Sequence, residues 1–307
     1  MKLSVCLITY NHEAYVRTAL ESVLDQEVDF PLEIVVADDA SVDGTVSIIE
    51  EYRAKHPDLI NPVGDGTHRG VTGNFAKGLR ACQGEYIALL EGDDYWTDSE
   101  KLSSQVAFLD RHPECALSFH PVTAVDDGGR PLSYNPFPTF HRTFFELKDL
   151  LTAGSFVPTG SIVLRNGLFE PLPQWFFDVP IADFPLNVLM ARHGRIARMG
   201  KSMGAWRLHG GGSFSSRTNA DRCGEVVRMY DYIDGELGHA YSRLITGVKS
   251  YWQAVESVRV GDEAAGRKFA RRRVATWPPN AQWAKACVMA TSPALYRAVA
   301  RRFAELT

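Results

Sequence analysis

The sequence has few cysteines, and their spacing does not fit a metal site. Five cysteines are scattered through 307 residues, with no Cys-x-x-Cys or Cys/His ligand spacing among them. An odd number of widely separated cysteines favours reduced thiols over a disulfide framework. We therefore expect a protein of a reducing compartment.

Long apolar runs are also absent. No segment approaches the roughly 20 apolar residues that a membrane-spanning helix needs. The apolar run Leu3–Ile8 is too short for the core of a signal peptide, and it stops at Tyr10-Asn11. These features predict a cytoplasmic location, with peripheral contact at the inner face of the cell membrane as a further option.

A positive net charge is lacking, which argues against a nucleic-acid-binding protein. The formal net charge is −4, although residues 221–307 carry 14 Lys and Arg against 9 Asp and Glu. Two interpretations of this basic C-terminal region stay open. In the first, the region forms a surface that binds anionic lipid headgroups. In the second, it forms a helical bundle whose aromatic residues pack inside and whose basic face is solvated. The residues concerned are Arg267-Lys268, Arg271-Arg272-Arg273 and Arg301-Arg302, interleaved with Trp252, Phe269, Trp277, Trp283 and Tyr296.

Several signatures of other nucleotide-binding proteins and of hydrolases are missing. No Gly-x-Gly-x-x-Gly follows the first predicted strand, which argues against a dinucleotide-binding dehydrogenase. The segment Gly194–Ser202 resembles a P-loop, but five residues separate its glycines where a P-loop has four. No Gly-x-Ser-x-Gly nucleophile elbow occurs either.

What is present is an alternation of strand and helix patterns over the first 120 residues. Continuous apolar runs predict strands covered on both faces, and apolar residues at helical spacing predict the helices between them. This order predicts an α/β fold with a mostly parallel, Rossmann-like sheet flanked by helices. The predicted strands are Leu3–Thr9, Leu32–Ala37, Leu59–Val63, Tyr86–Leu90 and Leu117–Val125, and the predicted helices are His12–Gln26, Thr45–Lys55, Val71 to Gly84 and Leu102 to Pro113.

After residue 130 the alternation loosens. Loops and short elements are predicted between Pro131 and Pro185, followed by a helix over Asp183–His193 and a strand over Ala205–Leu208. From about Asp221 the pattern predicts mostly helices. The chain therefore reads as one α/β domain with a C-terminal helical appendage.

Polar clusters follow three of the predicted strands. They are Thr9-Tyr10-Asn11, Asp38-Asp39 and Glu91-Gly92-Asp93-Asp94. Ligands of open α/β sheets bind beyond the carboxyl ends of the strands, so we expect these clusters to converge.

The last cluster places three carboxylates within four residues. Carboxylates suit a hard divalent cation that bridges to substrate phosphates, and repulsion would be costly without a cation or water between them. A solvated acidic turn is the alternative, and a second acidic pair at another strand end favours the metal site.

That second pair, Asp38-Asp39, could accept a hydrogen bond from the N3–H of uracil or thymine or from a ribose hydroxyl. The alternative is that this acidic loop caps the N-terminus of the following helix, because Ser41 and Asp43, which favour capping, also lie in the loop.

The order and spacing of three motifs resemble family 2 inverting glycosyltransferases of the GT-A fold, of the type that builds bacterial cell-surface glycans. The resemblance is strong over about residues 1–125 and looser to about residue 217. The motifs are Val5–Asn11, Ile34–Thr45 and Gly84–Asp94, and the looser ones are Pro158–Ser161, Ala182–Phe184 and Trp206–Ser213. Ala40 stands where the family often has Gly or Asn, and Glu91 stands where an Asp is usual.

The resemblance implies metal-dependent transfer of a sugar from a nucleotide-diphosphate sugar, with UDP favoured, to a hydroxyl of a glycan or lipid-linked acceptor. Residues 1–220 would form the catalytic domain, with a nucleotide-sugar half (1–125) and an acceptor half (126–220), and residues 221–307 the helical region. Mn²⁺ or Mg²⁺ would be the cofactor.

The same resemblance implies a role for individual residues. Asp183 would be the general base, with helix capping as the alternative, and Arg207 and His209 would lie near the diphosphate or metal. His209 as a loop residue without a role stays open. Thr9, Tyr10, Asp38, Asp39, Arg69 and Asp93 would bind the nucleotide, and Asp94 and Asp93 the metal, with Glu91 and His209 as further candidates.

Two other classes of protein stay open at this point. A sugar-nucleotide-forming nucleotidyltransferase would show a Gly-rich, Arg-containing loop after the first strand, where Thr9–His12 stands here. A non-catalytic sugar-nucleotide-binding protein would release no free nucleoside diphosphate from a donor.

Overall fold

A computed structural model describes residues 1–211, 219–276, 281–293 and 296. The chain divides into two compact units. The first, called the α/β unit, comprises Met1–Leu147 and Ser155–Ser215, and the second, called the helical unit, comprises Lys148–Gly154 and Ser216–Thr307.

The strands of the described residues all lie in the α/β unit. Their bounds are β1 Leu3–Thr9, β2 Leu32–Asp38, β3 Ile60–Pro62, β4 Tyr86–Glu91, β5 Tyr95–Trp96, β6 Cys115–Phe119, β7 Val122–Val125, β8 Phe144–Phe145, β9 Val163–Arg165, β10 Arg195–Arg198 and β11 Gly204–Arg207.

The helices are distributed over both units. Those of the α/β unit are α1 Val16–Leu24, α2 Thr45–Lys55, α3 Gly70–Ala81, α4 Lys101–Arg111 and α6 Asp183–Met190, with short 3-10 helices at Thr159–Ser161 and Gln174–Asp178. All but the first residue of α5 (Leu147–Ala153) belong to the helical unit, with α7 Asn219–Glu236, α8 Ser242–Arg259, α9 Glu263–Thr276 and α10 Ala281–Thr291.

An eight-stranded sheet forms the centre of the α/β unit, in the order β3-β2-β1-β4-β9-β6-β10-β8. β1 runs parallel to β2 and β4, and β10 runs parallel to β6, whereas β9 and β8 are antiparallel to their neighbours. A second, three-stranded sheet has the order β5-β11-β7. The predicted GT-A-like sheet, mostly parallel and flanked by helices, is confirmed.

The core of this unit explains why its first strands carry continuous apolar runs. Val5 and Leu7 of β1 are fully buried, and so is Cys6 between them, because helices cover both faces of the sheet. α1 adds Val16, Ala19, Leu20 and Val23 to this core, at the spacing of one helix face.

The structure corrects several predicted boundaries. Leu117–Val125 is not one strand, because β6 ends at Phe119 and β7 begins at Val122 in the other sheet. Pro121 lies between them, and proline has no N–H for the ladder of a central strand. The helix predicted from His12 begins only at Val16, since residues 12–15 form a turn in which the His12 carbonyl accepts from the Tyr15 and Val16 N–H groups.

The helical unit confirms the helices predicted from residue 221. Its core contains Ala254, Val258 and Ala270, and Trp252 and Phe269 pack against it. Within the described part of the chain, no helix combines the length and hydropathy that crossing a membrane requires. Trp277, Arg301 and Arg302, and the side chain of Trp283, lie outside the described residues.

Candidate active site

Three strands that end side by side form the floor of the candidate site. β2, β1 and β4 are parallel neighbours, so their carboxyl ends meet at one edge of the sheet. The Asp39 N–H donates to the Thr9 carbonyl at 3.0 Å, and the Gly92 N–H donates to the Ile8 carbonyl at 2.8 Å. The structure thus brings the three polar clusters together.

Gly92 allows this close approach because it has no side chain. A Cβ atom at this position would lie 2.7 Å from Thr9 Oγ1 and 2.9 Å from His12 Nδ1. Neither of these two buried atoms has a hydrogen-bond partner among the described residues. The turn after β4 therefore packs directly on the end of β1.

Asp93 lies between two histidines. Its Oδ2 is 2.9 Å from His209 Nε2 and 3.7 Å from His12 Nε2. Although burial alone would raise the pKa of Asp93, the hydrogen bond from His209 and the charges of both histidines lower it. The hydrogen bond to Asp93 raises the pKa of His209, whereas burial lowers the pKa of His12. The site therefore holds Asp93 ionised beside an imidazole.

The other two carboxylates of the turn are in a different environment. Asp94 is buried, and its Oδ1 accepts a hydrogen bond from the Arg207 N–H at 2.8 Å. Burial, together with the charges of Asp93 and Glu91, raises the pKa of Asp94 well above its ordinary value. Burial raises the pKa of Glu91 to about 8, with further contributions from Asp93 and Asp183. Asp93 is therefore the member of this turn that is best kept charged.

Arg207 supports one wall of the site through backbone carbonyls. Its Nε donates to the Asp93 carbonyl at 2.9 Å, and one terminal nitrogen donates to the Asp127 carbonyl at 2.6 Å. The guanidinium also lies 4.9 Å from the centre of the Tyr15 ring. Tyr15 in turn donates to the Asp127 carboxylate, which raises the pKa of Tyr15 to about 12. These contacts connect β11 and the turn at residues 126–129 to the start of α1.

Hydrogen bonds join the loop after β1 to the loop after β2. The Ser41 hydroxyl accepts from the Asn11 N–H at 2.8 Å, and the Asn11 side chain accepts from the Val42 N–H at 2.9 Å. Asp43 accepts from the N–H and hydroxyl of Thr45, the first residue of α2, but the N-cap of this helix is Gly44, which has no side chain to cap it.

Asp38 and Asp39 are both engaged within the protein. Asp38 accepts from the N–H and hydroxyl of Ser41, which closes a tight turn in which Ala40 has a φ of 62°. This left-handed conformation is the one that Gly and Asn adopt more readily than Ala. Asp39 Oδ1 accepts from the Arg69 N–H at 2.7 Å, while the Arg69 guanidinium pairs with Asp65.

A cleft of ≈ 790 Å³ opens beside these strand ends. Of the predicted site residues, Tyr10 and His209 line the cleft, whereas Thr9 is buried beneath it. The full lining is Tyr10, Asn11, Glu13, Ala14, Tyr15, Asp43, His209, Gly210 and Gly211. Gly212 and Ser213 lie outside the described residues.

Asp183 is the first residue of α6, and Ala182 is the N-cap. Asp183 Oδ2 accepts from the Ser155 hydroxyl at 3.3 Å. Burial raises the pKa of Asp183, and its charge contributes to the raised pKa of Glu91. Asp183 is therefore a half-buried carboxylate that lies close enough to Glu91 for its charge to affect the pKa of that residue.

Whether the site suits a divalent cation can be judged from its donor atoms. Among the described residues, no three His, Cys, Asp or Glu side chains are grouped as a ligand set. Asp93 Oδ2 and His209 Nε2, however, approach each other beside the cleft. Mg²⁺ and Mn²⁺ in phosphate-binding sites commonly take one or two protein ligands and complete their shell with water and phosphate oxygens, so the pair fits.

Some residues of the site were not singled out from the sequence. His12 and Tyr15 follow the Thr9-Tyr10-Asn11 motif closely, and this position was the only available signal. His68 contacts Asp39 from a loop 29 residues away in the chain, and no motif marks it.

Comparison with known proteins agrees with this geometry. The family profile described as "Glycosyl transferase family 2" matches residues 4–170. An uncharacterized protein of Mycobacterium tuberculosis is 38% identical over 259 residues, which cover 81% of this chain and 73% of that protein.

Solved structures show the same fold at low sequence identity. Staphylococcus aureus TarS 1–349 in complex with UDP-GlcNAc matches with a TM-score of 0.65 and 21% identity over 99% of this chain and 92% of TarS 1–349. The mannosyltransferase PcManGT from Pyrobaculum calidifontis, in complex with GDP-Man and Mn²⁺, matches with a TM-score of 0.58 and 17% identity, covering 97% and 82% of the two chains. The three strand-end motifs, the sheet and the family match together show that this chain belongs to glycosyl transferase family 2 and is a glycosyltransferase.

Proposed function

We propose that the chain catalyses the metal-dependent, inverting transfer of a sugar from a nucleotide-diphosphate sugar, with UDP favoured, to a hydroxyl of a glycan or lipid-linked acceptor. The observation that carries the proposal is the Asp93 carboxylate, whose Oδ2 lies 2.9 Å from Nε2 of His209 at the wall of a ≈ 790 Å³ cleft. The nucleotide sugars bound to TarS and to the mannosyltransferase support a donor of this class. Synthesis of bacterial polysaccharide or lipid-linked glycan is the setting that we propose.

Asp93 and His209 would hold Mn²⁺ or Mg²⁺. When bound, such a cation neutralises charge on the departing diphosphate. Asp94 and Glu91, which were also predicted as ligands, are less accessible: Asp94 is buried with its Oδ1 accepting from the Arg207 N–H, and Glu91 is only partly exposed. Arg207 supports this arrangement indirectly, because its guanidinium donates to the Asp93 carbonyl.

The nucleotide would occupy the side of the cleft formed by the ends of β1 and β2. Tyr10 is exposed there and offers a ring on which a base can stack. Thr9 and Asp38 would shape this side from beneath, through the strand end and the Ser41 turn. Arg69 would place its guanidinium near the nucleotide after leaving Asp65.

Asp183 would remove the proton from the acceptor hydroxyl. As the acceptor oxygen forms its bond to the anomeric carbon, the bond to the diphosphate breaks on the opposite face, and the configuration inverts. The raised pKa of Asp183 makes it a better proton acceptor than an exposed aspartate.

Release of nucleoside diphosphate tests the proposed function. Purified protein is incubated with UDP-, GDP- and TDP-sugars and a crude glycan or lipid acceptor, with Mn²⁺ or with EDTA. We expect release from one donor in the presence of Mn²⁺ and its loss with EDTA. A protein that binds a donor but releases no diphosphate under any condition would contradict catalysis.

The Asp183→Asn substitution tests the general base. We expect transfer to fall by about 10²–10⁴-fold, the usual contribution of a general base, while donor affinity changes little. Asp178→Asn is the matched control, since Asp178 is exposed and lies five residues earlier. Full transfer activity in Asp183→Asn would show that another group takes the proton.

A further inference from the structure

We infer that Arg198 and the cavity around it bind the carboxylate of an acidic sugar, a uronic acid, in the acceptor glycan. The inference rests on the proposed function and adds to it the charge of the acceptor. Arg198 is the last residue of β10, and it belongs neither to the predicted motifs nor to the lining of the large cleft.

A second, smaller cavity of ≈ 50 Å³ lies within the α/β unit. Its walls are largely apolar, because the rings of Phe119, Phe137 and Phe156 line it together with three prolines. Among the described residues that line it, Arg198 is the only Lys, Arg, Asp or Glu. His120 also lines it, and burial lowers the pKa of His120 to about 3, so this ring is neutral at neutral pH. Arg198 therefore brings a single positive charge to an apolar cavity.

The guanidinium of Arg198 is free to bind a ligand. Arg198 is half-buried, and its backbone N–H donates to the Thr143 carbonyl at 2.7 Å. Its side chain makes no hydrogen bond, ion pair or ring contact with any residue that the structure describes. A guanidinium presents parallel N–H groups that match the two oxygens of a carboxylate. The side chain is thus suited to a planar, singly charged anion.

The size and the walls of the cavity indicate what the carboxylate is attached to. A volume of ≈ 50 Å³ holds a few water-sized groups, so it admits a carboxylate and leaves a sugar ring at the mouth. There the apolar C–H face of a sugar can pack on aromatic side chains such as Phe137, which lies at the surface of the cavity and is only partly buried. A uronic acid combines these two features.

The cavity lies at the same edge of the sheet as the candidate active site. β9 is antiparallel to both β4 and β6, and β10 is parallel to β6, so β4, β6 and β10 run in one direction. Arg198 and Phe119 are register partners at the ends of β10 and β6. Their carboxyl ends therefore face the same way as the end of β4, where the acidic turn begins.

One short segment connects the cavity with the candidate general base and with the acidic turn. Phe156 lines the cavity, and Ser155, directly before it, donates to Asp183 at 3.3 Å. Four residues further on, a Cβ atom at Gly160 would lie 3.5 Å from Asp94 Oδ2. A sugar whose carboxylate enters the cavity therefore lies beside the residue proposed to deprotonate the acceptor.

Binding of small sugars tests the inference in the absence of donor and metal. Protein-observed NMR titration at neutral pH would compare methyl β-D-glucuronide with methyl β-D-glucoside, which lacks the carboxylate, and with glucose 6-phosphate. The proteins are the unmodified chain, Arg198→Gln and Arg195→Gln. Arg195 is the matched control, because it is exposed on the same strand and does not line the cavity.

We expect the unmodified chain and Arg195→Gln to bind the glucuronide about tenfold more tightly than the glucoside, the effect of hydrogen bonds between charged groups. In Arg198→Gln this difference should disappear, with the affinity for the glucoside and the melting temperature unchanged. Equal affinities for the two sugars in the unmodified chain would overturn the inference, as would a preference for the glucuronide that survives in Arg198→Gln.

Glucose 6-phosphate separates a carboxylate from a phosphate as the ligand. Tighter binding of glucose 6-phosphate than of the glucuronide, abolished in Arg198→Gln, would also overturn the inference, in favour of a phosphate-bearing acceptor. Failure of the proposed function would appear elsewhere, as the absence of nucleoside diphosphate release from every donor, because these titrations contain no donor.

Discussion

The smallest residue of the acidic turn sets the spacing of the site. Because Gly92 packs on Thr9 and His12, the Gly92→Ala methyl group would lie within 2.9 Å of both side chains. We expect the free energy of unfolding to fall by about 1–3 kcal/mol, the usual cost of overpacking. Gly200→Ala is the control, since its Cβ would meet nothing within 4 Å. Denaturant unfolding measures both, and equal stability of the two variants would contradict this account of the turn.

Lys101 is a buried lysine whose amine makes no hydrogen bond with any described residue. Its Nζ lies 3.9 Å from the centre of the Trp96 ring, and burial lowers its pKa well below the ordinary value. The unfolded chain therefore takes up a proton at a higher pH than the folded chain does. As a result, stability is lost as the pH falls from about 10.5 towards the lowered pKa.

Lys101→Met should remove this loss of stability at lower pH, because methionine has no group that binds a proton. We expect the variant to be more stable than the unmodified chain at pH 6.5, by about 1.4 kcal/mol for each pKa unit by which burial lowers the pKa of Lys101. This difference in stability should be smaller at pH 9.5, because the unmodified chain is destabilised less there. Thermal unfolding at both pH values measures it, with the exposed Lys55→Met as control. A gain that does not depend on pH would show that the Lys101 amine is not responsible.

At the scale of elements, Arg207 joins β11 to the turns after β4 and β7. Arg207→Met would remove the hydrogen bonds that the guanidinium donates to the carbonyls of Asp93 and Asp127. We expect a loss of about 1–3 kcal/mol in the free energy of unfolding, because hydrogen bonds from a charged group contribute more than neutral ones.

Arg130→Met is the control for Arg207→Met, because Arg130 belongs to the same turn but its side chain is 85% exposed. Its pairing with Asp126 should contribute little. Denaturant titration compares the two variants. A loss of unfolding free energy in Arg130→Met as large as that in Arg207→Met would contradict the stabilising role of the Arg207 hydrogen bonds.

The elements that the sequence predicted well are those with a strong local pattern. β1, β2 and β4 are apolar runs, α4 has clear helical spacing in Leu102, Val106 and Leu109, and α2 is marked by the turn residues before it and by Pro57 after it. β8, β9 and β10 are two to four residues long, which is too short for the alternation of a strand or the spacing of a helix to be recognised. Their existence depends on pairing with strands that are distant in the chain.

The site follows the same rule. Residues at strand ends, such as Asp93, were predicted because topology alone brings strand ends together. The pairing of His209 with Asp93 spans 116 residues, and the sequence suggested it only through the family resemblance. His68 and Lys101 gave no signal, because the contact of His68 with Asp39 and the burial of Lys101 appear only in three dimensions.

At the scale of the whole molecule, the helical unit bears on the two interpretations of the basic C-terminal region. The described aromatic residues Trp252 and Phe269 pack against the core of that unit, whereas Arg271 and Arg272 are exposed. Aromatic side chains that are partly buried against a core would have to leave it to enter lipid.

We therefore expect the chain to remain in the supernatant with vesicles of neutral lipid and with vesicles of anionic lipid at 0.15 M salt. Co-sedimentation with anionic vesicles is the measurement, and Arg271→Glu/Arg272→Glu is the comparison variant. Sedimentation of the unmodified chain that this double substitution abolishes would favour the membrane interpretation.

One strand constrains how enzymes of this architecture can be recombined. β9 comes from the half of the chain that follows residue 125, yet it lies between β4 and β6 of the first half. Its Arg165 donates to the Leu109 carbonyl at 2.6 Å and to the Tyr86 hydroxyl at 3.1 Å. A fragment that ends at residue 125 would have a gap in the middle of its sheet. Chimaeras that exchange the second half as a cassette must therefore retain β9, so exchanging only the loops around it would disturb the sheet less.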